Sequence, residues 1–319
     1  MRALVWHGAR QMSIADVPEP HATEGEIVAQ VVLAGICGSD LHAYRGNGGK
    51  RQPPLILGHE AVCRIAGNTR LYAVFPLAGC GHCQTCSEGH ENLCPSRTLL
   101  GLDRPGVFAE YVALPARALV PVPDALPAEV AALAEPLATA LGAIDVIATV
   151  RGKRVAVVGC GSIGLLTVFA AAHAGAEVIA CDPIPERREA ARRLGAASVL
   201  SSLEQVEAGS APLVVDAVGA EQTIAQALAT SAPGGTVSVV GLGQAEVDVA
   251  IGDVVRRGIS LRGSYAYTRE QFGNALNLLD AVVPPTDWLQ QVPLAGGQSA
   301  FATLVDAPSR SIKVLLAPG

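Results

Sequence analysis

Val155 to Val158 form a short apolar strand-like run, and the next six residues, Gly159-Cys160-Gly161-Ser162-Ile163-Gly164, lead into the helix-like stretch Leu165 to His173. A strand, a glycine-rich turn and a helix in this order form the phosphate-binding fingerprint of a dinucleotide site. Gly159 permits the sharp turn, Gly161 lets the backbone approach a pyrophosphate, and Gly164 lets the helix pack close to the strand. The amino terminus of that helix attracts negative charge, which places Ser162 and Ile163 beside the phosphates. A second apolar run, Val178 to Cys181, ends in Asp182, near the roughly 20-residue distance at which a carboxylate meets the adenosine ribose hydroxyls. Such a carboxylate repels a 2′-phosphate and favours NAD over NADP. Arg187 and Arg188 pull the other way, since a guanidinium accommodates the extra phosphate.

The fingerprint also fixes the surrounding architecture. From about Ala138 to Leu261, buried-strand runs (Arg154 to Val158, Glu177 to Cys181, Leu213 to Val218, Thr236 to Leu242) alternate with alanine-rich helical stretches. This pattern predicts a doubly wound parallel sheet. Val218, Gly241 and Leu242 fall where later strands end and become candidate cofactor contacts. The first 120 residues differ: short apolar runs such as Ile27 to Leu33 and Val107 to Leu114, separated by glycine, proline and polar clusters, predict a strand-rich, barrel-like region. After Ser264 come one helical pattern, Thr268 to Ala281, and a short apolar strand, Ile312 to Leu316, expected to return to the first region.

Four of the eight cysteines, Cys80, Cys83, Cys86 and Cys94, are spaced Cys-x2-Cys-x2-Cys-x7-Cys among turn-forming glycines. A loop this short can wrap its thiolates around a tetrahedral zinc; four thiolates leave no open position, so the site is structural. Disulfide pairing is the bland alternative, and these spacings suit chelation better. His82 and His90 are then superfluous surface residues. A second set, Cys37-Gly38-Ser39-Asp40-Leu41-His42 with Gly58-His59-Glu60, offers a thiolate, an imidazole and a carboxylate, the donor mix of an open zinc site. Cys63, Cys160 and Cys181 fall on apolar strands or in the glycine turn and read as small buried hydrophobes.

With 319 residues, half of them hydrophobic, the chain can fill two cores. A formal charge of −6 without a long basic run gives no electrostatic footprint for nucleic acid or an anionic membrane. Neither a signal peptide nor a membrane span is legible, so the expected setting is the cytoplasm and the expected partner a small molecule.

Taken in order, the cysteine segment, the Gly-His-Glu segment, the four-cysteine lobe and the nucleotide fingerprint resemble the zinc-containing medium-chain dehydrogenases, and the likeness runs through the closing Ile312-Lys313-Val314. The resemblance implies a GroES-like, partly open β-barrel catalytic domain (residues 1–137, with 268–319 returning to it) and a Rossmann domain (138–267), with the active site in the cleft. It implies two zinc ions per chain. Cys37 and His59 would be catalytic zinc ligands, Glu60 a ligand or an adjacent carboxylate, and Glu135, in a Glu135-Pro136-Leu137 segment like that of polyol, threonine and glucose dehydrogenases, a further ligand. Ser39 would take the substrate proton and pass it, through the nicotinamide ribose, towards His42; Asp40 would orient its neighbours. The activity implied is hydride transfer from a secondary alcohol or polyol-like substrate to NAD. A homodimer or homotetramer is implied too, with Gly258 to Tyr265 as the candidate pairing strand. Tyr44, Tyr265, Tyr267 and Trp288 fall in segments that could border the cleft. The chain departs from the family in the shortened stretch between His59 and Cys80, where Thr69 to Val74 replaces a common Gly-Asp-Arg-Val segment. Two alternatives stand beside this reading: a zinc-independent enone or quinone reductase of the same superfamily, and a non-catalytic nucleotide-binding regulatory protein.

Overall fold

The computed structural model describes every residue except Ile147 and Arg310. Two compact units emerge, one made of Met1–Glu135 with Thr268–Gly319, the other of Pro136–Tyr267.

In the second unit six parallel strands line up in the order Ser198–Leu200, Glu177–Cys181, Arg154–Val158, Ala211–Asp216, Ser231–Val239, Ser260–Gly263. Arg154–Val158 sits between strands reached in opposite directions, the position where this sheet type binds ligands. Alternate strand residues such as Ala156, Val158, Val214 and Val237 pack with Ile224 and Leu228 of the helix Glu221–Thr230. Two expected strands were placed too far along the chain. The first stops at Asp216 because its carboxylate accepts the Val218 and Gly219 N–H groups at 2.7 and 2.9 Å and turns the backbone. The next stops at Val239, so Val218, Gly241 and Leu242 lie in turns beyond the strand ends.

In the first unit a sheet runs Leu119–Pro121, Leu71–Val74, Glu60–Ile65, Glu26–Gly35, Lys313–Ala317, Leu289–Pro293, with Tyr111–Pro115 also on Glu26–Gly35; it does not close. The carboxy-terminal strand Lys313–Ala317 pairs antiparallel with Glu26–Gly35. The strand Leu71–Val74 survives behind the shortened loop.

Of the helices not foreseen from the sequence, two bear on the site and its core. Gly38–Tyr44 opens with glycine, serine and aspartate, poor helix formers, and is held by its start, where the Asp40 carboxylate accepts the Cys37 N–H at 3.1 Å. Gly297–Asp306 hides behind two glycines; a Cβ on Gly297 would strike Leu4, so glycine there allows the close approach that buries Phe301. Phe301 meets Tyr44 and Phe108 with ring centroids 5.3 and 5.9 Å apart. Tyr44 therefore belongs to the core and not to a substrate surface, and its hydroxyl accepts from Gln298 Nε2. Tyr267 and Trp288 are buried as well, whereas Tyr265 is exposed.

Candidate active site and zinc centres

Cys37 and His59 are 22 residues apart in the sequence, and the fold brings them together. Cys37 precedes the helix Gly38–Tyr44, while His59 immediately precedes the strand Glu60–Ile65 that Glu60 opens. Gly58 makes the approach possible: its φ is +93°, and a Cβ would meet the Phe108 ring at 2.6 Å. One ligand atom from each of Cys37, His59 and Glu60 lies within 4.8 Å of the others. Glu135 stands near enough to raise the pKa of His59, but the cluster drawn at 4.8 Å comprises the other three residues. Burial works to depress that pKa; Cys37, Asp40 and Glu135 outweigh it and raise it to about 10. His59 Nδ1 is buried without a hydrogen bond, 3.8 Å from Asp40 Oδ1. An imidazole that dwells among anions, beside a thiol and a carboxylate, suits a divalent cation in place of the proton.

Asp40 is fully buried and organises this corner. Its Oδ2 accepts from Cys37 N, and its Oδ1 faces Gly58 N at 3.4 Å, His59 at 3.8 Å and Arg51 at 3.9 Å.

Glu60 has a competing partner that the sequence reading named without assigning it a role. Lys313, with no exposed surface, donates from Nζ to a Glu60 carboxylate oxygen and to the Ile36 carbonyl at 2.9 Å. Gly35, directly opposite Glu60 in the register, supplies the space, since a Cβ there would collide with the carboxylate and come within 3.1 Å of Nζ. A lone lysine in the apolar run Ile312 to Leu316 was the available signal, because a lysine is almost never fully buried unpaired.

Ser39 and His42 lie three residues apart on the helix Gly38–Tyr44, a spacing that puts them on one side. Ser39 Oγ accepts from an Arg51 terminal nitrogen at 3.3 Å. His42 is half-buried, and burial first, then Arg45 and Arg51, lower its pKa. Arg51 was missed in the sequence, where nothing distinguishes it from a surface arginine.

In the four-cysteine lobe the sulfurs also gather within 4.8 Å, and all four cysteines are free thiols. Cys83 Sγ to Cys94 Sγ is 3.7 Å, far beyond a disulfide and close to the ~3.8 Å edge of a tetrahedron with zinc–sulfur bonds of about 2.3 Å. The Thr85 hydroxyl, followed by the Cys86 N–H, brings the Cys83 thiol down to about 6. His82 and His90 are exposed. By contrast Cys63, Cys160 and Cys181 are buried; burial pushes Cys63 and Cys181 up to about 12 and Cys160 higher still, which keeps them inert thiols.

In the nucleotide unit the glycines of the fingerprint have distinct surroundings. Gly159 has φ +88°, and its Cβ would meet Val218 at 2.5 Å; Gly161, which precedes the helix Ser162–His173, has open space where a Cβ would stand. A Cβ on Gly164 would land on the Gly159 carbonyl oxygen. Ser162 and Ile163 start the helix. Asp182 is buried, with Oδ2 accepting from Cys160 N at 2.8 Å and Oδ1 from Ile184 N at 2.9 Å. Arg187 lies 3.7 Å from its carboxylate, and Arg188 donates to the Asp182 carbonyl at 2.7 Å. The turns at Val218–Gly219 and Gly241–Leu242 abut, for a Cβ on either Gly219 or Gly241 would strike the other turn. Replacing Gly164 by alanine is expected to force the helix away from the turn, costing ~1–3 kcal/mol of stability and weakening binding of the reduced nicotinamide cofactor by about tenfold or more, as read by thermal denaturation and by fluorescence titration with NADH and NADPH.

Residues 23–124 match the alcohol dehydrogenase GroES-like domain, and residues 162–281 match the zinc-binding dehydrogenase domain. A sorbitol dehydrogenase from Bacillus subtilis is 30% identical over 345 residues, an alignment spanning 100% of this chain and 97% of that protein. The chain belongs to the zinc-type medium-chain dehydrogenases. Among solved structures of similar proteins, an L-idonate 5-dehydrogenase from Escherichia coli superposes with a TM-score of 0.90 at 27% identity, covering 99% of this chain and 97% of that one. A zinc-binding dehydrogenase from Sinorhizobium meliloti bound to NADP gives the same score and identity over 99% of both chains. As a member of this family of alcohol and polyol dehydrogenases, the chain is an oxidoreductase with a GroES-like unit and a Rossmann unit. Among the described residues no helix is long and apolar enough to cross a membrane.

Proposed function

We propose that this medium-chain dehydrogenase is zinc-dependent and oxidises a secondary alcohol or polyol-like substrate with NAD. The observation that carries the reading is the gathering of Cys37, His59 and Glu60 within 4.8 Å beside the helix that bears Ser39 and His42. Cys37 and His59 would hold the catalytic zinc, with Glu60 and Glu135 as the exchangeable or neighbouring carboxylates; Cys80, Cys83, Cys86 and Cys94 would hold the structural one. When bound, a zinc ion lowers the pKa of a hydroxyl it polarises, and NAD accepts hydride.

The chain's own residues do the positioning and proton handling. Asp40 orients His59 and the Cys37 backbone. Ser39 receives the substrate proton at Oγ, and His42, whose pKa is lowered by burial and by Arg45 and Arg51, holds it next, towards solvent. Gly159, Gly161, Ser162, Ile163 and Gly164 cradle the pyrophosphate, and Val218, Gly241 and Leu242 border the cofactor. Asp182, buried at the end of the strand Glu177–Cys181, receives the ribose hydroxyls and selects NAD; Arg187 offers the contrary contact for a 2′-phosphate. The exposed edge strand Ser260–Gly263 suits pairing with a second copy in a homodimer or homotetramer. Free cysteines throughout fit a reducing cytoplasm.

The test is reduction of NAD and of NADP across polyols, sugar acids, amino alcohols and simple secondary alcohols by zinc-loaded protein. The expected result is turnover with at least one hydroxyl substrate and a kcat/KM for NAD at least about tenfold above NADP, the scale of one lost charge-assisted contact. Turnover of enones or quinones alone, unaffected by chelation, would establish the zinc-independent reductase instead; nucleotide binding with no turnover of any substrate would establish the regulatory protein.

A further inference from the structure

Arg51 is a buried cation beside the expected proton acceptor. Its side chain is 7% exposed, and its bonds go to neutral oxygens: Nε donates to Gly101 O at 2.9 Å and one terminal nitrogen to Ser39 Oγ at 3.3 Å. The carboxylate facing it, that of Asp40, has its Oδ1 at 3.9 Å, beyond hydrogen-bond distance; Oδ1 is shared with His59 and the Gly58 N–H, and Oδ2 accepts the Cys37 N–H. The other terminal nitrogen makes no hydrogen bond to any described residue. A guanidinium presents five donors in a planar fork that matches a carboxylate, and burying one without a close counter-ion is costly unless a ligand supplies it.

The contact with Ser39 gives the cation a direction. A hydroxyl has two acceptor sites and one hydrogen. With one acceptor site on Ser39 Oγ taken by Arg51, the other is left for the substrate hydroxyl and the hydrogen for onward transfer. An anion on the remaining donors of Arg51 therefore lies next to the carbinol being oxidised. The positive field reaches the rest of the relay, since Arg45 and Arg51 both act to lower the His42 pKa after burial has done so.

We propose that Arg51 is a specificity-determining residue that binds a carboxylate carried on the substrate close to the reacting carbinol, so that the preferred substrates are polyhydroxy acids and not neutral polyols. This rests on the dehydrogenase reading above and names its substrate class.

The experiment titrates zinc-loaded, NADH-bound protein calorimetrically with a six-carbon aldonate and with the alditol of matching configuration, for the wild type, Arg51→Lys and Arg51→Gln, with NAD reduction assayed in parallel. The wild type is expected to bind the aldonate at least about tenfold more tightly than the alditol. Arg51→Gln should weaken aldonate binding by about 30-fold or more, and alditol binding by less than about threefold. Arg51→Lys, which keeps the charge and loses the fork, should fall between. Thermal denaturation checks that the variants fold; if Arg51→Gln does not, the wild-type preference and Arg51→Lys decide. Equal or tighter alditol binding by the wild type, binding of neither compound, or equal losses for both compounds in the variants would overturn the proposal. Arg51-dependent aldonate binding without NAD reduction from any alcohol would support the carboxylate site and sink the dehydrogenase reading. Alditol oxidation without aldonate preference would do the reverse.

Discussion

Cys37→Ser is expected to lower the zinc content from two ions per chain to one and to reduce alcohol-dependent NAD reduction by about 10³-fold. The size follows from the several kcal/mol of charge stabilisation that a Lewis acid supplies, at about 1.4 kcal/mol per tenfold in rate. The remaining ion is the one expected in the four-cysteine lobe, whose geometry does not involve Cys37. Elemental analysis and steady-state kinetics on the same preparations read the two effects. Cys63→Ala is the control: that thiol is fully buried and held protonated, so its loss should leave both zinc count and turnover within about twofold, the small cost of a core truncation. A Cys37→Ser protein that keeps its zinc and its rate would remove Cys37 from the metal site.

Lys313→Met is expected to destabilise the metal-free protein by about 3–5 kcal/mol, because it leaves the Glu60 carboxylate buried without its cation. For a unit of this size that corresponds to a melting temperature lower by ~10 °C. Combining it with Glu60→Gln should restore much of the loss, since the uncompensated charge is gone, and the non-additivity of the two changes should be at least ~1 kcal/mol for residues in contact. Zinc adds a second arm to the experiment. If the freed carboxylate can reach the ion, zinc should rescue Lys313→Met more than it stabilises the wild type, and chelation should abolish the rescue. Equal melting temperatures for wild type and Lys313→Met in the absence of metal would show that the pair carries no net stabilisation.

Lys313 and Arg51 thus hold opposite relations to the same corner. Lys313 is satisfied by a carboxylate and a carbonyl, and restrains a group that could ligate zinc. Arg51 has no carboxylate within hydrogen-bond distance and touches the Ser39 hydroxyl, the proposed proton acceptor.

The legible part of this protein is the part whose physics is local. The run Val155 to Val158, the glycines of the turn and Asp182 lie within 28 consecutive residues, where strand, turn and helix start follow from side-chain bulk and positive φ, and the structure builds that unit at the centre of a parallel sheet. The four-cysteine lobe is equally local, spanning 15 residues from Cys80 to Cys94, so spacing alone could gather its sulfurs. Strand ends were misread at Val218 and Leu242 because hydrophobicity continues past Asp216 and Val239; at the first the Asp216 carboxylate has already turned the backbone, and at the second the Val240 and Gly241 N–H groups both donate to the Asp216 carbonyl. Register, close approach and burial were decided by tertiary structure. Lys313 reaches Glu60 across 253 residues because Lys313–Ala317 and Glu60–Ile65 flank the same strand, Glu26–Gly35, and because Gly35 leaves room between them. Arg51 became a buried cation, and Tyr44 and Trp288 core residues, through packing that no spacing in the chain encodes. Composition and short motifs therefore determined the fold and the chemistry on offer. Long-range strand pairing determined which charges meet in the dry corner around His59, where an unpaired charge is too costly to leave to chance.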